Sequence, residues 1–174
     1  MLLATLADKV KTDVSELILA LGTSPAYDRL NLQLSPAQWD VLAGYLLPMQ
    51  LEPGRTLMAQ GEADRTIYLV EAGSLSVHYE DSKGRVRLAM VGPGSVVGEG
   101  AFFSQLQRTA TVQAGVRNLA ISEAASPAKL WALTALRHTE LAKREPVIAL
   151  ELCHNLAAVL ARRLVNRPKR VAIT

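Results

Sequence analysis

The sequence predicts a mainly β fold of the α+β class: an antiparallel β-barrel or sandwich with helices on both sides of it. Three observations predict it. From Met49 to Gly94 short β-favouring runs are separated by glycine-centred turns at Pro53-Gly54, Gly61, Gly73, Lys83-Gly84 and Pro93-Gly94, the punctuation of an all-β sandwich or barrel. Before and after that region apolar residues return at the helical period, which places one face of each helix in a core. At 174 residues, 49% of them apolar and 20% charged, the chain is long enough for one domain with a substantial interior.

The elements follow in order. Leu2, Leu3, Leu6, Val10, Val14, Leu17, Ile18 and Leu21 outline an amphipathic helix over residues 1–21 with Gly22 as its stop, and Thr23 to Leu34 reads as a linker. Ser35-Pro36-Ala37-Gln38 is a helix start, with serine as N-cap, proline at the first helical position and glutamine where a capping box needs it. This helix is expected to reach about Leu47 and stop at Pro48. The barrel is expected over residues 49–133. Its clearest hairpin joins Ser74–Glu80 to Val86–Val91 through Asp81-Ser82-Lys83-Gly84, and Thr109–Gly115 continues the β pattern. Residues 117–126 fit a strand or an irregular loop equally well. Ser126-Pro127 could cap a helix, but Lys129–Leu133 alternates as a strand does, and the strand is the expectation. Thr134 then caps a short helix to about Ala142, and Glu145-Pro146 opens a last helix ending near Arg167-Pro168. Residues 1–34 thus form an N-terminal helix and linker, 35–167 the main domain, with helices over 134–167, and 168–174 a basic tail.

Within this frame, Gly92 to Ala114 concentrates the chemistry. A turn (Gly92, Pro93, Gly94) leads to Val96-Val97, then to Gly98-Glu99-Gly100-Ala101, and Arg108 opens the β-favouring run Thr109–Val112. Small residues expose backbone N–H groups that can hold an anion, and a guanidinium matches phosphate oxygens as a fork. A compact phosphate-bearing ligand fits that combination.

The remaining composition excludes several classes. His78, His138 and His154 lack metal-ligand spacing, and neither a Walker lysine motif nor a dinucleotide-binding glycine fingerprint occurs. No acid/base or nucleophile constellation stands out, so an enzyme is not expected. Cys153 is the only cysteine, which points to a reducing, cytoplasmic setting. No apolar run approaches the ~20 residues of a membrane span, and the N-terminus lacks the features of a secretory signal. Net charge is +3, and Arg162, Arg163, Arg167, Lys169 and Arg170 crowd the end of the chain. They read either as a solvated helix end complementing the macrodipole or as a contact for nucleic acid or an acidic partner.

From about Leu34 to Leu164 the sequence resembles the cyclic nucleotide-binding domain superfamily, which includes catabolite-activator-type regulators, kinase regulatory subunits and cyclic-nucleotide-gated channels. The residues that carry the resemblance are Leu51-Glu52-Pro53-Gly54, Gln60-Gly61-Glu62 before Asp64, Ile67–Val70 leading to Gly73, Gly98-Glu99 and Arg108-Thr109-Ala110-Thr111-Val112. Val97 and Gln107 depart from the family's aromatic and proline at those positions. The resemblance implies a jelly-roll barrel with a C-terminal helical lid, a ligand that is cyclic AMP or cyclic GMP, and no other cofactor. It also implies a ligand-binding set of Gly98, Glu99, Gly100, Ala101, Phe102, Arg108, Thr109 and Ala110. Arg108 would neutralise the cyclic phosphate, the Ala101 and Phe102 N–H groups would add donors, and Glu99 would accept from the ribose 2′-hydroxyl. Gly98 would allow the sharp turn, and Thr109 could reach the base. The alternative is an internal Glu99–Arg108 salt bridge in a pocket that holds nothing.

Transcription regulators of this kind attach a helix-turn-helix after the last helix; only Pro168–Thr174 follow here, so DNA binding by that route is not expected. The implied function is a stand-alone cyclic-nucleotide sensor that switches affinity for another protein. Alternatives are a ligand-binding fragment of a larger regulator or channel, and an interaction module with an empty pocket. The apolar face Leu152, Leu156, Val159, Leu160 and Leu164 could pair two copies or cover the barrel. Residues 115–126, longer than the family's hairpin, could lie over the pocket or form a partner surface.

Overall fold

A computed structural model describes residues 12–116 and 126–171. The expected helix over 1–21 and the uncertain stretch 117–126 therefore lie largely outside the described residues. Helices α1 (Ser15–Thr23) and α2 (Pro36–Ala43) precede strands β1 (Leu47–Leu51), β2 (Thr56–Met58), β3 (Ile67–Ala72), β4 (Leu75–Asp81), β5 (Gly84–Val91) and β6 (Val96–Val97). Then come α3 (Glu99–Ser104), β7 (Thr111–Ala114), β8 (Ala128–Leu133), α4 (Ala135–Arg144) and α5 (Pro146–Val171). The strands form two four-stranded antiparallel sheets in the orders β1-β8-β3-β6 and β2-β7-β4-β5. This is the jelly roll with helices at both ends.

Three layers explain the hydropathy pattern. Leu51, Met58, Val70, Leu75, Val91, Val112 and Leu130 pack between the sheets. Ile67, Leu69, Trp131 and Leu133 point the other way, into a second core with Leu17, Leu30, Leu42, Leu141, Leu152 and Leu156 of the helical layer. The first sheet is therefore covered on both faces, which is why β3 and β8 read as nearly unbroken apolar runs. The second sheet has one covered face, and β4 alternates accordingly.

Several boundaries differ from expectation for local reasons. The capping box at α2 is present, with Gln38 N–H donating to Ser35 Oγ and Ser35 N–H to Gln38 Oε1, but the helix stops at Ala43. Leu47, which precedes proline and so disfavours helix, instead starts β1, an edge strand where Pro48 costs no ladder bond. Helix α1 passes Gly22 and ends at Thr23. Thr134 caps α4 as expected, accepting from the Arg137 N–H at 3.2 Å. Helix α5 runs through Pro168 to Val171; an internal proline forfeits one backbone bond and bends a helix without having to end it.

The buried stripe of α5 is Ile148, Ala149, Leu152, Leu156 and Val159. Leu152, Leu156 and Val159, expected to pair copies or cover the barrel, thus cover the barrel. A different face stays open: Val147, Leu150, His154, Ala157, Ala161 and Leu164 are all exposed.

Candidate functional site

The segment 61–66 and the α3 turn meet around Arg108. The Arg108 N–H donates to Glu62 O and the Gly61 N–H donates to Arg108 O, both at 2.8 Å, so the Gln60-Gly61-Glu62 turn is held against the start of the 108–112 run. Gly98 has φ +92°, and a Cβ there would lie 2.6 Å from Thr66 O and 2.7 Å from Arg108 Nη1. Only glycine gives both that turn and that approach. Gly98→Ala is expected to cost roughly 1–3 kcal/mol of stability and to push the guanidinium aside, read as a lowered melting temperature.

Arg108 is 3% exposed. Its Nη1 donates to Gly98 O at 3.0 Å, and its Nη2 donates to Thr66 O at 2.6 Å and to the Asp64 carboxylate. Burial alone would raise the Asp64 pKa, but hydrogen bonds from Arg108 and Thr66 and the Arg108 charge outweigh it and hold the carboxyl below its usual range. Arg108 Nε is buried with no hydrogen-bond partner. A buried guanidinium N–H without an acceptor is costly, and a phosphate oxygen would supply one.

Glu99 faces elsewhere. It is 8% exposed and accepts from Arg163 Nη1 at 2.5 Å. Arg163, on α5, also donates through Nε to Asp28 Oδ2 at 2.6 Å and through Nη2 to Val96 O at 2.8 Å. Burial opposes the Arg163 charge, yet Glu99 and Asp28 more than compensate and raise its pKa. Beside it, Arg162 Nη1 donates to Arg29 O at 3.0 Å. The internal Glu99–Arg108 salt bridge is thus not formed; each side chain has its own partner. Nor are Arg162 and Arg163 a solvated helix end, because they tie α5 to the 24–30 segment and to α3.

Residues 48–130 match the family model for the cyclic nucleotide-binding domain. The chain carries a cyclic nucleotide-binding domain. It is 30% identical over 132 residues to the cyclic AMP receptor protein of Thermus thermophilus, an alignment covering 75% of this chain and 55% of that one. It is 35% identical over 79 residues to the acetyltransferase Pat of Mycolicibacterium smegmatis, covering 45% and 24%. The chain therefore spans about half, or less, of the curated relatives it matches. A cyclic nucleotide-binding domain from Methylobacillus flagellatus superposes with a TM-score of 0.74 at 18% identity, covering 90% of this chain and 81% of that one.

The domain places the expected site residues unevenly. Gly98 and Arg108 are brought into contact, with Glu99 adjoining the same turn. Gly100 and Ala110 are half-buried, Ala101 is buried and Thr109 is exposed. The Phe102 N–H, expected to serve a ligand, donates instead to Gly98 O at 3.2 Å, because residues 98–102 close the first helical turn. Sequence reasoning gave Asp64 and Asp28 no role at the site, and Arg163 only that of a helix-end cation or a partner contact. Arg163 could have been found: 152, 156, 159 and 163 continue one buried stripe of α5, and a charge on such a stripe needs a buried partner.

The Phe102 ring links the domain's α3 to its C-terminal helices. It meets His138 of α4 edge-on at 5.0 Å, and His138 Nε2 lies 3.3 Å from Cys153 Sγ on α5. Burial first, and Arg65 second, lower the His138 pKa, while burial raises that of the thiol. His138 is therefore neutral in the folded domain and takes up a proton more readily when unfolded. Stability is retained above its ordinary value of 6.5 and lost as pH falls from there through the lowered folded value. His78, also lowered, adds the same sign. Melting temperature should fall as pH drops below about 6.5, and His138→Gln should flatten that decline in a series of thermal melts.

Proposed function

We propose that this domain senses a cyclic nucleotide, cyclic AMP first and cyclic GMP second, and reports it by changing the position of α5. The observation that carries the proposal is the Gly98 turn with Arg108 on one side, its buried Nε lacking an acceptor, and Glu99 on the other. The cyclic phosphate binds Arg108 and the ribose 2′-hydroxyl donates to Glu99, with Gly100, Ala101 and Ala110 as the small residues that let the ring approach and Thr109 beside the base. Glu99 is held by Arg163 of α5, so a ribose at Glu99 must share or displace that contact. Ligand occupancy and α5 position are then coupled, as a sensor requires.

The output is a change in affinity for a partner protein in the cytoplasm, and a second copy of the chain belongs to the same proposal. The exposed α5 positions 147, 150, 154, 157, 161 and 164 are spaced three and four apart, the seam of a two-stranded coiled coil. With Leu150 and Leu164 each about 70% exposed, this face suits a two-fold pairing of α5 helices. Leu150→Glu with Leu164→Glu is expected to leave a folded monomer in sedimentation, whereas the native chain sediments as a dimer.

One observation favours a second reading, an interaction module without a ligand: Arg108 and Glu99 both already have protein partners. The partial span of the relatives favours a third, a ligand-binding part of a larger regulator. A thermal-shift panel separates sensor from empty pocket. Cyclic AMP or cyclic GMP should raise the melting temperature while 5′-AMP does not; no shift with either cyclic nucleotide sinks the sensor proposal.

A further inference from the structure

The outer face of the second sheet carries a cationic groove that the nucleotide cradle does not use. Cross-strand partners share a face, so the register pairs Ser76 with Met90 and Gln113, and His78 with Arg87, on the side opposite the core residues Leu75, Val91 and Ala114. Ser76, His78, Arg85, Arg87, Met90 and Gln113 line a concavity of about 580 Å³, and no carboxylate among the described residues lines it. That is the volume of a small-molecule site.

Two features set this groove apart from a charged edge. Arginines on an edge strand such as β5 commonly serve only to block strand pairing. Here, however, the Arg85 side chain folds back across β4, and its Nη2 donates to Gln113 Oε1 of β7 at 2.6 Å. Gln113 is itself fixed, its Nε2 donating to Thr56 Oγ1 at 3.1 Å. His78 Nε2 lies 2.8 Å from Ser76 Oγ, which orients the ring. Arg87 stands directly opposite His78 with no hydrogen-bond or ion-pair partner among the described residues. Two guanidinium groups and an imidazole are thus gathered over one patch of sheet; Glu80 stands opposite Arg85 on this face, whereas Arg87 faces only the His78 ring across the strand pair, and like charges so placed disfavour each other once the ring is protonated.

We propose that this outer face is a second ligand site, taking a small phosphate-bearing polyanion between the Arg85 and Arg87 guanidinium groups and the His78 ring. Two forks spaced two residues apart on one strand suit a ligand with more than one anionic group. Burial, Arg85 and Arg87 together lower the His78 pKa. A bound anion offsets the two arginine charges; Ser76, Gln113 and Thr111 around the ring are uncharged, and Glu80, two residues along β4 and opposite Arg85, is the carboxylate on the same face.

The test is a pyrophosphate titration of the full chain followed by the His78 imidazole resonances, at constant ionic strength. The expected result is a saturable shift with a raised His78 pKa, weakened at least about tenfold by Arg85→Gln with Arg87→Gln. Both arginines are exposed, so the doubly substituted chain should keep its native melting temperature. The response should persist in Arg108→Ala and with saturating cyclic AMP, which separates this site from the nucleotide cradle whether or not the cradle binds. A shift lost in Arg108→Ala, one unchanged in the Arg85/Arg87 chain, or one matched by chloride would overturn the proposal. So would a response to a short Glu-rich peptide with none to pyrophosphate, which would make the groove a protein-docking surface.

Discussion

Arg163→Ala is expected to destabilise the domain by about 3–5 kcal/mol, the cost of breaking a buried ion pair from one side. For a chain of this length that is roughly 6–20 °C in melting temperature. The size follows from what remains. The Glu99 and Asp28 side chains are 10% and 5% exposed, and each loses a charged donor in a largely buried setting. Val96 O also loses its donor. Arg163→Lys keeps a charge but not the fork that serves three acceptors, so it should fall between. Adding Glu99→Gln and Asp28→Asn to Arg163→Ala should recover much of the loss, because no charge is then left buried. Melts of these chains measure the effect; equal loss in the triply substituted chain would mean that packing, not charge, holds α5.

Arg108→Ala should act mainly on the ligand. Truncating one partner of a buried charge pair costs about 2–5 kcal/mol of binding, or roughly 30-fold to several thousand-fold in affinity. The fold should suffer less than at Arg163, since the Asp64 side chain is 46% exposed and can turn to water. The two arginines thus separate experimentally: Arg163 shows in the melting temperature, Arg108 in the titration curve. A chain lacking Arg108 that still binds the nucleotide with native affinity would move the phosphate to another cation.

Much of this was legible in the sequence because its causes are local. Glycine and proline turns fixed the hairpins, alternation marked β4, and Ser35 and Thr134 announced helices through hydrogen bonds within three residues. Gly98, Glu99 and Arg108 stand in one short stretch and could be read together. Their partners could not. Asp64 lies 44 positions from Arg108, and Glu99 and Asp28 lie 64 and 135 positions from Arg163, so only the folded chain pairs them. The sequence therefore presents an acid and a base that look made for each other, and the fold gives each a different counterion. The open face of α5 was missed for a related reason. Leu152, Leu156 and Val159 are as apolar as Val147 and Leu150, and composition cannot tell which row meets the barrel.

The most direct test of a cyclic-nucleotide cradle is calorimetric titration with cyclic AMP and 2′-deoxy cyclic AMP, on the native chain and on Glu99→Ala. With the 2′-hydroxyl donating to Glu99, the native chain binds cyclic AMP saturably and prefers it to the deoxy compound by about tenfold or more, as a hydrogen bond to a charged group implies. In Glu99→Ala that preference falls towards one. Heat from neither compound, or the same preference with and without the Glu99 carboxylate, would contradict it.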